Sequence, residues 1–487
     1  MGDRVSIAEP CMSVRLIDSL ATTQPLAELF SDESVLQAML DFETALARAE
    51  ARSGIIPGSA AEAIAASAKP GNFDTASLAQ ASLRAGTPAI PLAKALTEHV
   101  RKTNPEAARF VHWGATSQDV ADTATSLLLR RAQKIVAKDL LKLEQALLRL
   151  AEQHEKTVML GRTLLQPAPP VTFGLKAAGW LGAVARGRQE LLDAFHAAAV
   201  IQFGGASGTL ASLGHPGDDC GIAVVKALSE ELGFEKPPAA PWHTQRDRLA
   251  TLVCACGVLT GSLGKMARDI SLLMQFEVGE AAEPGGQGRG GSSTMPQKHN
   301  PTACSLTLAA AHRVPGLVAS FLAAMVQEQE RAVGGWQAEW PIIAGVVQST
   351  GLAIASMAEV AEGISIDVPR MRENIERTNG VVFAERAMML LGAKLGRDAA
   401  HTLLEVATKK SVVEGRHLRV ILAEMPEVTE HLDAAELAHL EIPEQYLGSA
   451  DAFRKALIVQ SGQLESGNLE FGFIEYHRRN TGTDEEK

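Results

Sequence analysis

The run from Ala115 to Leu160 contains neither glycine nor proline and keeps apolar residues at helical spacing. Because glycine and proline are the residues that most often end a helix, this run predicts one helix of roughly 35 residues, about 50 Å long. Similar long apolar patterns follow at residues 172–200, 244–281, 301–332 and 341–364. The pattern at 244–281 is apolar on nearly every face, so other helices have to bury it. The sequence therefore predicts an all-α fold around a central bundle of long helices.

The composition supports helices and favours an oligomer. Hydrophobic residues make up 46% of the chain and aromatic residues only 4%, a balance that favours packed helices over β-sandwiches. A single-chain bundle rarely covers such long apolar helices on every side. We therefore expect copies of the chain to pack their central helices together.

The length of 487 residues exceeds what one hydrophobic core usually organises. Pro369 and the turn signal Asn379-Gly380 suggest a boundary after the last long helix. We predict three domains, an N-terminal helical domain at 1–112, a central long-helix domain at 113–364 and a C-terminal helical domain at 365–487.

Charge and cysteine usage narrow the functional classes. A net charge of −11 with 2 Tyr and 5 Trp argues against a nucleic-acid partner. The five cysteines are scattered and lack metal-ligand spacing with histidine, so we expect no metal, a reducing cytoplasm and buried thiols at Cys254 and Cys256. The N-terminus has no apolar signal region, and neither membrane insertion nor an organic cofactor is indicated.

A glycine-rich stretch at 285–291 leads into the string GSSTMPQKHNP. Glycines alone also fit a solvated interdomain loop. The string adds two serines, a lysine and an asparagine just before Pro301, which can stand at the start of the next helix. Backbone amides, a cation and a helix N-terminus together can bind a carboxylate and stabilise the charge formed when a proton leaves the adjacent carbon. We predict a carboxylate-binding lid in which Ser292 is the general acid or base.

The string GSSTMPQKHNP resembles the signature loop of the fumarase/aspartase superfamily, whose pattern is GSSxMPxKxNP. The resemblance implies a three-domain all-α subunit, a small polycarboxylate substrate, and a homotetramer whose active sites combine segments of different subunits. It assigns the loop at 285–301 the catalytic residues Ser292, Lys298 and Asn300 and the substrate contacts Ser293 and Met295. The role of His299 stays open, since many relatives with large substrates have arginine there.

Two further segments resemble the other active-site regions of this superfamily. In HWGATSQDVADTA the resemblance implies that His112, Thr116, Ser117 and Gln118 bind a substrate carboxylate. Thr116 or Ser117 can also cap the long helix that follows. In GRTLLQPAPP the residues Thr163 and Gln166 match the family pattern GRTHxQ as substrate contacts.

Leu164 replaces the histidine of that pattern, which in relatives helps to protonate the leaving group. An amine or alkoxide leaves poorly without a proton, whereas a carboxylate, whose acid has a pKa of about 4, needs none at neutral pH. The chain accordingly resembles the branch of the superfamily that closes 3-carboxy-cis,cis-muconate to a lactone.

The segments WHTQRDR and QEQERAVGGWQAEW also match this branch, and His243, Arg246 and Arg331 can hold the extra carboxylate of a tricarboxylate. A structural histidine is an equal alternative for His243, as is a surface ion pair for Arg331. The rival functions are a fumarate-forming lyase, either adenylosuccinate-like or expelling a good anion such as nitrite, and a catalytically silent helical scaffold.

Overall fold

The computed structural model describes residues 16–214, 219–286, 290–291, 294–295 and 297–466. These residues form mainly helices, and the predicted all-α class is confirmed. The α-helices are α1 Gln24–Leu29, α2 Asp32–Arg52, α3 Gly58–Ser67, α4 Thr75–Ala85, α5 Ala89–Thr103, α6 Ser117–Gln153, α7 Phe173–Ala198, α8 Cys220–Glu231, α9 Asp247–Leu273, α10 Thr302–Ala324, α11 Gly335–Gly363, α12 Val368–Glu376, α13 Ala384–Leu395, α14 Arg397–Glu414, α15 Leu418–Ala423, α16 Pro426–Thr429, α17 Ala434–His439 and α18 Ala450–Ser466. Short 3-10 turns lie at Asp18–Ala21, Pro70–Asn72, Ala107–Phe110, Ala211–Leu213, Val381–Phe383 and Pro443–Tyr446.

Two antiparallel strand pairs accompany the helices. The strands are β1 Val158–Thr163, β2 Gln166–Thr172, β3 Ala281–Ala282 and β4 Ser365–Ile366, paired as β1 with β2 and β3 with β4. In the first pair Thr163 lies opposite Gln166, so the two residues between them form the hairpin turn.

The long helix predicted from Ala115 onwards is α6, which spans 37 residues. It ends at Gln153, earlier than the absence of glycine and proline suggested, and β1 follows. The backbone carbonyl of His154 accepts a hydrogen bond from the N–H of Gly174, and that of Thr157 accepts one from Phe173. These bonds to the first residues of α7, which periodicity along the chain does not reveal, hold the backbone that follows α6 in a non-helical course.

Among the described residues, the helices α9, α10 and α11 are long and apolar enough to cross a membrane by length and composition. Within the chain, 61% of the most apolar window of α9 and 67% of that of α11 are buried, so these two helices form part of the core. Only 22% of the α10 window is buried. An apolar helix surface on α10 is therefore left uncovered by the described residues of its own chain.

The contacts of the chain divide it into two compact units. The first unit contains the chain up to Leu140 together with Gly187–Gly261 and Leu306–Ala355. The second contains Leu141–Arg186, Ser262–Ser305 and the chain from Ser356 onwards. Five long helices contribute residues to both units, because each runs through one of these boundaries. The predicted domain limits at 112/113 and 364/365 remain predictions.

Candidate active site

The loop before α6 is held in a tight conformation in the first unit. His112 and Gly114 have positive φ angles of 59° and 68°. A Cβ on Gly114 would lie 2.4 Å from Cδ2 of Leu213, so only glycine fits there. The carboxylate of Asp119 accepts a hydrogen bond from the backbone N–H of Thr116, at 3.0 Å, which fixes the end of this loop against the first turn of α6.

Asp119 also joins this loop to a second one. Its carboxylate accepts hydrogen bonds from the backbone N–H groups of Gly204, at 3.0 Å, and Gly205, at 2.9 Å. Nε2 of His243 lies 2.8 Å from the same carboxylate. His243 and Asp119 are both buried. His243 thus has Asp119 as a hydrogen-bonding partner, and the substrate contact predicted for His243 remains a prediction beside its structural alternative.

Behind the loop lies a buried ionic network around Arg246, which is 2% exposed. Its guanidinium donates to Asp122 on α6, at 2.8 and 3.1 Å, and to Glu339 on α11, at 2.6 to 3.1 Å. Burial alone lowers the pKa of Arg246, but the two carboxylates outweigh it and the net shift is upwards. The guanidinium is thus engaged by two carboxylates of the protein, and the substrate contact predicted for Arg246 remains a prediction.

Gln118 belongs to the same network. Its side-chain amide donates to the backbone carbonyl of His243, at 2.7 Å, and to Asp122, at 3.2 Å. Asp122 also accepts hydrogen bonds from Gln202, at 3.3 Å, and from the indole of Trp336, at 3.0 Å. Gln118 is almost fully buried. Its amide therefore supports the loop, and the substrate-carboxylate contact predicted for Gln118 remains a prediction.

The hydroxyl groups of Thr116 and Ser117 face Arg331. Nη1 of Arg331 donates to the hydroxyl of Thr116, and Nη2 lies 3.2 Å from Oγ of Ser117. Arg331 is only half-buried and forms no ion pair with a carboxylate among the described residues. It therefore brings positive charge and hydroxyl groups together at the surface of the first unit, where an anion can bind. This differs from the surface ion pair considered as the alternative.

The hairpin of the second unit carries Leu164 at its tip. Leu164 and Leu165 both have positive φ angles, 51° and 64°, as the type I′ turn requires, although glycine and asparagine are the usual residues there. Leu164 is 97% exposed, and Thr163 and Gln166 beside it are also exposed. The hairpin therefore exposes two apolar side chains, Leu164 and Leu165, flanked by two polar ones.

The base of the hairpin is fixed by a second buried carboxylate. Arg162 donates two hydrogen bonds to Glu280, at 2.9 and 2.6 Å, and the amide of Asn374 donates to Glu280 at 2.7 Å. Gln166 lines a cavity of about 540 Å³ with Asn374 and Arg377. These contacts hold Thr163 and Gln166 at the end of an anchored hairpin.

The predicted lid is described in part. Ser292 and Ser293 lie outside the described residues. Met295 and Lys298 are exposed, and Asn300 closes the loop through its N–H, which donates to the carbonyl of Gly290 at 2.9 Å. A Cβ on Gly290, whose φ is 65°, would lie 2.8 Å from the carbonyl oxygen of Asn300, so the closure requires glycine.

Pro301 directly precedes α10, and the start of that helix is already occupied by an anion. The carboxylate of Glu283 accepts hydrogen bonds from the N–H groups of Ala303, at 3.1 Å, and Cys304, at 2.8 Å. The expectation that this helix N-terminus offers its amides to the substrate is therefore wrong for these two amides. Lys298 and Asn300 are among the polar side chains that the described residues of the loop supply, together with Thr294, Gln297 and His299.

The acidic residues that hold the active-site loop, among them Asp119, Asp122 and Glu339, were not predicted from the sequence. Each stands in a helix at a position that also fits an ordinary solvated residue. The signal that was available is the placement of an acid among apolar neighbours of a helix, which applies to Glu43 and Glu50 in α2 as well. Of the predicted thiols, Cys256 is buried and Cys254 partly so.

Comparison with known proteins gives consistent matches along the chain. A family model described as lyase matches residues 20–316, and a model described as adenylosuccinate lyase C-terminus matches residues 380–457. The 3-carboxy-cis,cis-muconate cycloisomerase of Bradyrhizobium diazoefficiens is 46% identical over 91% of this chain and 97% of its own length. The nitrosuccinate lyase of Streptomyces davaonensis is 42% identical over 89% of this chain and 92% of its own.

The similarity extends to a solved structure. The 3-carboxy-cis,cis-muconate lactonizing enzyme from Pseudomonas putida superposes with a TM-score of 0.86 at 44% sequence identity. The match covers 93% of this chain and 100% of that one.

Proposed function

The chain belongs to the fumarase/aspartase family of lyases, and we propose that it is a cycloisomerase that closes 3-carboxy-cis,cis-muconate to 4-carboxymuconolactone. The observation that carries the proposal is Leu164. The hairpin tip that in the family pattern bears a histidine bears here an exposed leucine, which cannot transfer a proton.

Because Leu164 cannot donate a proton, the site favours a reaction whose leaving group needs none. Relatives that expel an amine or alkoxide need a general acid, because these groups leave as strong bases. In lactonisation the group that adds to, or leaves from, the carbon skeleton is a carboxylate of the substrate, which is stable as an anion at neutral pH. The absence of a histidine at Leu164 therefore does not slow this reaction.

In the proposed mechanism one carboxylate oxygen of the substrate adds across the conjugated double bond. The electron pair of that bond moves towards the adjacent carboxylate and forms an enolate-like anion, which Lys298 and Asn300 stabilise. Ser292 then delivers a proton to carbon. Arg331, with Thr116 and Ser117, holds another carboxylate of the substrate, and no metal or organic cofactor takes part.

We propose a homotetramer whose active sites combine segments from different subunits. The support is the apolar surface of α10, of whose most apolar window only 22% is buried within the chain. In a protein that does not enter a membrane, we expect further copies of the chain to cover such an apolar surface. We assign the protein to the cytoplasm without a membrane or nucleic-acid partner.

The rival with specific support is a lyase that expels nitrite to form fumarate. The nitrosuccinate lyase relative is 42% identical, and Leu164 is as compatible with nitrite as with a carboxylate. An adenylosuccinate-like reaction is disfavoured by Leu164, although a C-terminal family model bears that name. Loss of the ultraviolet absorbance of the muconate diene, assayed beside fumarate and nitrite release, separates these reactions.

Replacing Ser292 with alanine tests the mechanism. We expect kcat for loss of the diene to fall by about 10²–10⁴-fold, because a proton-transfer group is lost, while KM changes little. Ser59→Ala on the exposed surface of α3 is the matched control and should retain normal turnover. Near-normal kcat in Ser292→Ala would remove this serine from the mechanism. Fumarate formation without diene loss in the wild type would reject the cycloisomerase function.

A further inference from the structure

A buried carboxylate holds the histidine at the start of the active-site loop. Oε1 of Glu43, on α2, lies 2.7 Å from Nδ1 of His112. The side chain of Glu43 is 1% exposed and that of His112 is 22% exposed. The pair thus has a buried anionic end and a partly exposed imidazole end.

This pairing raises the pKa of the imidazole and fixes its orientation. Burial lowers the pKa of His112, but Glu43 and, more weakly, Asp119 outweigh it, and the net pKa is raised. The second carboxylate oxygen of Glu43 has no hydrogen-bond partner among the described residues. Within that part of the chain, His112 is therefore the one hydrogen-bond partner of the Glu43 side chain. With Nδ1 engaged by Glu43, the protonated ring has its Nε2–H left for another acceptor.

The position of His112 in the chain links it to the cation described above. His112 precedes Gly114 in the strained loop that ends at Thr116, and Arg331 donates to Thr116 and Ser117. His112 and Arg331 therefore belong to the same unit and border the same short loop. Neither has a further carboxylate partner among the described ion pairs.

We propose that Glu43 is a positioning residue that makes His112 a second cation, beside Arg331, for recognition of a third carboxylate on the substrate. This inference rests on the proposed function, because it counts the carboxylates of that substrate. A dicarboxylate needs two cationic contacts, which Lys298 and Arg331 supply, and a tricarboxylate needs one more. In a chain with a net charge of −11, this local charge has to be fixed by the fold.

The charged groups that face the pair are few. Glu43 is on α2, and Asp119 on α6 is already bound to His243 and to backbone amides. Glu50, two turns along α2, is buried beside Glu43, and burial followed by the charge of Glu43 raises the pKa of Glu50 to about 9. Glu50 is thus uncharged at neutral pH and adds no second negative charge to the pair.

The experiment compares Glu43→Gln with Glu50→Gln, two identical changes in buried positions of one helix. The pKa of His112 is measured by NMR titration of the free protein, with His112→Gln identifying its signal. Competitive inhibition by propane-1,2,3-tricarboxylate and by glutarate is measured between pH 6 and pH 9. The NMR titration needs no turnover, and inhibition is measured against whichever of the muconate and nitrosuccinate the enzyme converts.

In Glu43→Gln we expect the pKa of His112 to fall and the tricarboxylate Ki at pH 7.5 to rise roughly tenfold, as loss of one charge-assisted contact predicts. The glutarate Ki should stay within about twofold, and Glu50→Gln should behave as the wild type in both measurements. His112→Gln should show the same loss of tricarboxylate preference without a pH dependence.

An unchanged pKa of His112 in Glu43→Gln, or equal weakening of both inhibitors, would overturn the inference. If Glu43→Gln does not fold, His112→Gln decides: an unchanged ratio of tricarboxylate to glutarate affinity rejects the third cation. Should the wild type discriminate as described yet fail to convert the muconate, the proposed function would fail while the recognition pair stands.

Discussion

Glu50 carries a buried carboxyl group for which neither oxygen has a hydrogen-bond partner among the described residues. Burial, with the charge of Glu43 second, raises its pKa from 4.5 to about 9. Between these values the folded chain keeps a proton that the unfolded chain releases. The free energy of unfolding therefore falls as pH rises through this window, by up to about 1.4 kcal/mol per pH unit from this group.

Replacing Glu50 with glutamine should remove this dependence. We expect the variant to match the wild type near pH 5 and to exceed its stability increasingly towards pH 9, because glutamine has no proton to lose. Urea unfolding midpoints at several pH values measure the difference. Glu62→Gln, on the exposed surface of α3, is the control and should follow the wild type. A constant difference across the pH range would show that Glu50 is ionised in the folded protein.

At the scale of elements, the Arg246 network ties together α6, the residue before α9, and α11. Removing the arginine leaves Asp122 and Glu339 as uncompensated buried anions. We expect Arg246→Met to lower the free energy of unfolding by about 3–5 kcal/mol, measured by urea unfolding. The matched change Arg52→Met breaks the exposed pairs with Glu230 and Glu231 and should leave the free energy of unfolding close to that of the wild type, because solvent screens such pairs. Equal losses in the two variants would contradict the role of the network.

The elements themselves were largely predictable. The helix α2 begins at Asp32 after the predicted cap Ser31, whose hydroxyl accepts from the N–H of Ser34, because capping is decided within one turn. The end of α6 was not predictable, since it depends on pairing of β1 with residues that follow later. The same reason hid Asp119 and Glu339. Their partners lie far along the chain, and their sequence surroundings resemble those of solvated residues.

The candidate site, like the helices, was predictable from the sequence only in part. The motifs around Thr116, Thr163 and Lys298 were found from short patterns, and the structure places the first in one unit and the other two in the second. The hydrogen-bond partners of Gln118, His243 and Arg246 could be identified only from the folded structure. Polar side chains near a motif are as useful for holding a loop as for binding a ligand, and only burial and partners separate these roles.

At the scale of the whole molecule, the exposed apolar surface of α10 bears on how copies of the chain assemble. This helix contains Leu322, which is 43% exposed in a single chain, among small and apolar neighbours. If copies of the chain pack there, a buried negative charge has no partner and assembly is lost. We expect Leu322→Glu to sediment below four times the protomer mass of 51.6 kDa and to lose turnover while keeping its helical circular dichroism. Val413→Glu on α14, which is 86% exposed, is the control and should leave both mass and turnover unchanged. An active Leu322→Glu protein of single-chain mass would show that each chain carries a complete site.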